Sequence, residues 1–434
     1  ILAVEGALID EAQAQVAAAK AGEIVISQDA RVQLGFSLDP APEIHAPEGL
    51  PWPADYREIH EDLMAGWGME NLYLHRVLSG KSGALVYAVD LTTRTFHGQA
   101  ILKLTDHANQ SYPEEDESTR HQAAFEANLE FAEMHFPKIV HTAERGQQTA
   151  LLSTIAARGL EYSLPWAHCA YDVQVESATR LSRELLEQWN PTYSFADGVL
   201  DPAELLNDWL DYRTRPQDGG RIHSLLADEC GLDPETPTLL FEGHWYPNPL
   251  AFALGTTPSG ESFSLRAMKG NHHGDLHGYN LLVSSEAEPH PYYVIDLADF
   301  RPDSFLLFDH GYFELSHLLI RREASELVDW IALLDSIDPG SPPRSDDLGL
   351  IQLVGALRDE VAAWIDRHEP NRLSYLDGQA RLGRVAAGLN FSHKRMGVYA
   401  RMLGFLYAAH NLKSFLRFQN ADWPRVGEVL RLGD

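Results

Sequence analysis

The stretch His273-Gly274-Asp275-Leu276-His277-Gly278-Tyr279-Asn280, read together with Asp296 in YYVIDLADF (292–300), decides how this chain is understood. An aspartate, an amide five residues on and a later aspartate make a set suited to phosphoryl transfer. Asp275 can accept a proton from an attacking hydroxyl, while Asn280 and Asp296 offer oxygen donors to magnesium. A Leu-Leu-Val run follows Asn280, and Tyr-Tyr-Val-Ile precedes Asp296. Both residues are therefore expected at the edges of short β-strands, where a rigid support can aim them.

Two segments further up the chain bear on the same chemistry. Leu78-Ser79-Gly80-Lys81-Ser82-Gly83-Ala84 joins two strand-like runs. Its small residues, Gly80, Ser82 and Gly83, would let amide hydrogens approach phosphate oxygens closely, although a plain glycine hairpin has the same pattern. Lys103 lies within the apolar run ILKL. An ammonium there must find a counter-charge or reach water, because burying it unpaired is costly. Glu126 on the following helical stretch is the expected partner, with Glu130 one turn further along the same face.

In this order the segments resemble the protein-kinase-like superfamily, and within it the aminoglycoside and choline kinase branch. HGDLHGYN is similar to that branch's catalytic loop, and VIDLADF to its short metal-binding strand. The resemblance covers roughly residues 70–320. It implies an α+β bilobal protein-kinase-like fold, with a small antiparallel β N-lobe, a large mainly helical C-lobe and a short N-terminal appendage. It further implies ATP and Mg2+ as cofactors, with adenine near Ser153–Ala157. Asp275 would be the catalytic base, and Asn280 and Asp296 the metal ligands. Lys103 would pair with phosphate, Glu126 would orient it, and Gly80, Ser82 and Gly83 would complete the nucleotide site. His273 would buttress the catalytic loop, and Asp299 would be a further metal or capping group or a plain surface carboxylate. LSGKSGALVYAV also resembles the glycine loop of kinase-like domains appended to bacterial signalling and conflict proteins.

The sequence departs from the protein-kinase pattern in two places. His277 stands where those enzymes carry a lysine, which weakens charge stabilisation of the moving phosphoryl group. After Asp299 the run RPDSFLLFDHGYFELSHLLI has no long activation segment ending in Ala-Pro-Glu, so a small hydroxyl acceptor is expected rather than a peptide. The aromatic stretch LLFEGHWYPNPLAFAL (239–254) reads either as a wall of the acceptor site or as core. Two other functions remain open at this point. One is a nucleotide-binding pseudokinase or sensor within a larger signalling protein. The other is a zinc hydrolase built on His272, His273, Asp275 and His277.

The 434 residues divide by pattern into an appendage at 1–38, a proline-rich linker at 39–55, an N-lobe at 56–157 and a helical lobe at 158–434. Within the appendage, residues 9–36 read as a helix and two short strands, and GEIVIS resembles the tail of a class III nucleotide cyclase domain. A fused or partner signalling domain is expected on that ground. Asp and Glu number 63 against 34 Lys and Arg, a formal charge of −29 that disfavours nucleic acid and anionic membranes as partners. The same charge suits solubility, or the steering of cationic acceptors such as aminoglycosides. Cys169 and Cys230 alone give no disulfide framework, and a cytoplasmic setting is expected. Helical periodicity is clear at Leu382, Val385, Ala386 and Leu389, and again at Met402, Phe405, Leu406 and Ala409.

Overall fold

The computed structural model describes residues 50–78, 84–93, 97–107, 117–157, 159–256, 262–285, 289–322, 327–338, 347–368, 373–423 and 427–429. Residues 51–434 form one compact unit. The expected N-terminal helix and strands, most of the proline-rich linker and the loop bearing Gly80, Ser82 and Gly83 lie outside the described residues.

Helix α1 (Arg57–Gly66) precedes three strands, β1 (Met69–Leu78), β2 (Leu85–Thr93) and β3 (His97–Asp106). Helices α2 (Glu117–Ala127) and α3 (Leu129–His135) follow, then β4 (Ile139–Arg145) and β5 (Gln148–Thr154). The five strands make one antiparallel sheet in the order β1-β2-β3-β5-β4. Ile59 and Leu63 of α1 pack on one face of this sheet, against Leu74, Val89, Leu102, Leu104 and Leu152. Side chains alternate across a strand, so Lys103, between buried Leu102 and Leu104, must point to the other face. Burying each of those leucines is worth roughly 1.5–3 kcal/mol, which fixes the register that aims the lysine.

The helical stretch that carries Glu126 and Glu130 is broken in two. Asn128 takes extended dihedrals (φ −155°, ψ 98°), and its side chain accepts the Phe131 amide at 3.1 Å, starting α3 afresh.

Beyond the sheet come β6 (Ser163–Pro165), α4 (Tyr171–Glu187) and α5 (Pro202–Leu210), then β7 (Met268–His272), β8 (Leu281–Ser284), β9 (Tyr292–Val294) and β10 (Arg301–Phe305). The chain continues through α6 (Phe308–Arg322), α7 (Leu327–Ile337), α8 (Leu348–His368), α9 (Leu373–His393) and α10 (Val398–Phe418). This is the α+β order expected from the sequence, a five-stranded antiparallel sheet followed by a largely helical region. The two helical periodicities read from sequence fall on α9 and α10, whose apolar residues are buried in the largest core. Phe241, Tyr246, Leu250 and Phe252 lie in that same core, so the aromatic stretch 239–254 packs the fold rather than walling a site.

Among the described residues, no helix is long and apolar enough to cross a membrane.

Candidate active site

Four short strands of the helical region set the site. β8 pairs antiparallel with β9, Leu281 opposite Val294, so Asn280 and Ile295 emerge at the same end of the hairpin. The Ile295 amide donates to the Asn280 carbonyl at 2.9 Å. β7 pairs with β10, with His272 opposite Arg301. The connections 273–280 and 295–300 therefore lie side by side. They touch at Gly274, whose φ of 87° is left-handed and where an added Cβ would sit 2.6 Å from the Asp299 carbonyl oxygen. Only glycine meets both conditions. Leu276 is fully buried among Leu281, Val294, Leu297 and Phe313, which pins the first connection to the core.

His273 ties the two connections together. Its Nδ1 accepts the Asp275 amide at 3.2 Å, and its Nε2 meets the Ile295 carbonyl at 3.0 Å. Nε2 is then the protonated nitrogen, and both positions are taken. This is the buttressing geometry expected from sequence, and it leaves His273 no lone pair for zinc. Among the described residues, no group of three or more His, Cys, Asp or Glu converges to hold a metal. Asp309, in the first turn of α6, accepts the His273 amide at 2.7 Å and the Gly274 amide at 3.0 Å. Charged acceptors strengthen such bonds, so the loop backbone is held from two sides.

Around Asp275 the fold gathers Asn280, His277, Tyr312 and Lys394. The Asn280 side-chain amide donates to the Asp275 carbonyl at 3.0 Å, which leaves its Oδ1 free of that bond. His277 Nε2 lies 3.6 Å from Asp275 Oδ2. Lys394, in the turn after α9, places Nζ 2.6 Å from Asp275 Oδ1, and its ammonium also stands 5.2 Å from the centre of the Tyr312 ring. Burial alone would raise the pKa of Asp275. Lys394, then His277, together with hydrogen bonds from Lys394 and Tyr312, overcome this and hold it below the ordinary aspartate value. Asp275 is thus held in its ionised form. Tyr312 moves the other way, its phenol pushed well above the usual range by burial and by the carboxylate it donates to.

On the sheet side, Lys103 Nζ meets Glu117 at 2.8 Å and Asp296 at 3.2 Å. Burial alone would lower the Lys103 pKa, but Asp296 and Glu117 more than offset it and keep the ammonium charged. The expected partner was Glu126, and here the structure corrects the sequence reading. Glu126 is exposed and accepts from Gln122 at 2.6 Å, one turn back on α2, while Glu130 is exposed on α3. The phase of α2 turns its first residue, not its penultimate one, toward the strand. Asp299 lies 4.0 Å from Arg120, whose guanidinium also donates to the Ala298 carbonyl at 2.8 Å. That contact braces the 295–300 connection against α2.

Lys103 meets Asp296 directly and Asn280 meets Asp275 directly, and the bond from the Ile295 amide to the Asn280 carbonyl sets these two pairs on adjoining connections. Glu117, Asp309, Tyr312 and Lys394 join them without having been singled out from sequence. Asp309 had a legible signal, an acid in the first turn of the helix that follows β10. Lys394 had none, since nothing local distinguishes it from a solvated surface lysine.

No family model matches this chain, and no curated protein matches it in sequence. Among solved structures it is similar to an aminoglycoside-3'-phosphotransferase of type VIII, at 17% identity over 76% of this chain and 98% of that chain, with a TM-score of 0.37. It is also similar to the Mycobacterium tuberculosis PknI kinase domain, at 12% identity over 79% of this chain and 97% of that one, with a TM-score of 0.26. At these values the residue roles rest on the contacts described above.

Proposed function

We propose that this chain is an ATP- and magnesium-dependent phosphotransferase acting on a hydroxyl group of a small molecule. The observation that carries the reading is the linkage of Lys103 to Asp296 on one side and of Asn280 to the Asp275 loop on the other. A strand lysine needs a counter-charge when buried, and Glu117 alone would supply one; the second partner, Asp296, sits in a left-handed conformation (φ 62°) in another part of the chain. The carboxylate of Asp296 and the free amide oxygen of Asn280 are hard oxygen donors, which fits magnesium better than a soft metal. Bound there, the ion would neutralise charge on the β and γ phosphates.

The residues then divide the work. Lys103, steadied by Glu117, pairs with the nucleotide's phosphate oxygens. Asp275 receives the proton of the acceptor hydroxyl as its oxygen forms the new bond to the γ phosphorus. The bond from that phosphorus to the β–γ bridging oxygen breaks, and ADP leaves with the electron pair. Lys394 brings an ammonium to the place where His277 cannot supply a fixed charge. Most of the acceleration comes from positioning and from charge already in place.

A nucleotide-sensing pseudokinase was the competing reading, motivated by the histidine at 277. The contact between Lys394 and Asp275 restores a cation beside the base and favours the enzyme. Asp275→Asn tests it. The variant is expected to bind Mg·ATP like the parent and to lose phosphoryl transfer by 1000-fold or more, on the order of 4 kcal/mol. Transfer at the parental rate would end this mechanism.

A further inference from the structure

If the chain is a phosphotransferase, its overall acidity suggests a cationic acceptor, but the surroundings of Asp275 on the helical side do not. Lys394 reaches Asp275 from the turn after α9. The residue before it, His393, binds Arg221 twice: the Arg221 amide donates to Nδ1 at 3.1 Å, and Arg221 Nε donates to the carbonyl at 2.8 Å. Gly220, the residue before Arg221, packs so closely on the carbonyls of Tyr212, Arg213 and Arg215 that a Cβ would lie within 2.5–2.7 Å of each, so the backbones at 212–215 and at 220 run against one another. The Tyr212 ring meets the His393 ring edge-on at 5.4 Å, and the Arg213 guanidinium lies 5.2 Å from the Tyr212 ring centre. Arg395 adds an exposed cation next to Lys394.

Among the described residues, none of Arg213, Arg221 and Arg395 forms an ion pair with a carboxylate. The neighbouring acids are taken elsewhere: Glu229 pairs with Arg401 at 2.6 Å, and Asp211 with Arg215 at 3.0 Å. The field of the group is visible on His393, whose imidazole is driven down to about 3, by burial first and then by Arg221, Arg213, Arg401 and Lys394. In a chain with 63 acidic and 34 basic side chains, three guanidinium groups without a carboxylate partner among the described residues, two of them gathered around His393, the neighbour of the Lys394 that meets Asp275, call for an anion. Guanidinium forks match phosphate and carboxylate oxygens in pairs.

We infer that the acceptor is a small alcohol bearing an anionic group, a phosphate or a carboxylate, which Arg213 and Arg221 hold while its hydroxyl faces Asp275. This rests on the phosphotransferase reading, and it replaces the cationic acceptor that bulk charge suggests. Lys103 serves the nucleotide from the sheet side, whereas this group serves the acceptor from the helical side.

The test is calorimetric titration of the full chain, saturated with Mg·AMPPNP so that the nucleotide's phosphate positions are filled. The probes are inorganic phosphate, acetate and tetramethylammonium. Phosphate or acetate is expected to bind and tetramethylammonium not to, and whichever of the two anions binds more tightly identifies the group. Arg213→Gln and Arg221→Gln should each weaken anion binding at least 10-fold. Because Arg221 also supports the His393 backbone, Arg395→Gln, at an exposed position, provides a second reading, with at least a threefold loss expected. Tighter binding of tetramethylammonium, absence of anion binding, or anion affinity unchanged in all three variants would each overturn the inference. Failure of Mg·AMPPNP to bind, with anion binding still sensitive to Arg213 and Arg221, would instead count against the kinase reading and leave the anion site standing.

Discussion

Lys394 Nζ lies 2.6 Å from Asp275 Oδ1, a contact between the turn after α9 and the connection after β7 that spans 119 residues of chain. The fold thus delivers to the candidate base a cation that its own loop lacks. Lys394→Met is expected to reduce kcat for ADP formation by about 10- to 100-fold, the scale of one lost charge-assisted hydrogen bond. KM for ATP should change little, and Lys394→Arg should recover part of the rate. Steady-state kinetics on the three proteins decides it: an unchanged kcat would leave the ammonium without a role.

The lysine's partner on the sheet side can be tested by comparing two glutamates of α2. Glu117→Gln removes a 2.8 Å ion pair to Lys103 and is expected to weaken Mg·ATP binding about 10-fold, near 1.4 kcal/mol. Glu126→Gln, at an exposed position bonded only to Gln122 among its hydrogen-bonded neighbours described above, should leave that affinity unchanged. Titration calorimetry giving the reverse order would restore Glu126 as the partner.

Gly274→Ala combines a left-handed φ of 87° with a Cβ 2.6 Å from a carbonyl oxygen. Backbone strain of this kind alone costs about 1–3 kcal/mol, and relieving the clash must move either connection. Denaturant titration is expected to show at least that loss, and phosphoryl transfer should fall with it. A variant as stable and active as the parent would mean that the two connections do not touch in solution.

His317 gives a pH signature. Burial, then Arg321, pushes its imidazole down to about 3, so it stays neutral in the folded chain while an unfolded histidine titrates near 6.5. Its contribution to stability is whole above about pH 6.5 and declines as the pH falls from there toward 3, because the unfolded chain binds the extra proton. His317→Gln is expected to remove about 1.4 kcal/mol per pH unit from the slope of unfolding free energy between pH 6 and pH 4. Chemical denaturation at stepped pH measures that slope, and an unaltered one would refute a neutral buried His317.

The local parts of the fold were legible because short-range rules govern them. Strand-like and apolar runs marked β1, β2 and β3, and period 3.6 placed α9 and α10. β4 was not anticipated, since its IVHTAER run, paired only along β5 at the sheet edge, is half exposed and lacks a clear apolar face. The break at Asn128 was missed because a capping amide inside an alanine-rich stretch looks like ordinary helix. At the site, Asp275, Asn280 and Asp296 were readable, since their spacing and strand context are local. Glu117 was not, because choosing among acids on a helix requires knowing which turn faces the strand. Lys394 and the arginines near it depend on how the turn after α9 and the segment 211–221 come against the 273–280 connection, which no spacing in the sequence encodes.

The absence of room for even one methyl between Gly274 and Asp299 makes the two connections a single mechanical piece. With His273 and Asn280 both bonded to Ile295, a displacement at Asp296 is passed on to the 273–280 backbone. If the chain is the phosphotransferase proposed above, nucleotide arrival and the placing of Asp275 are then coupled.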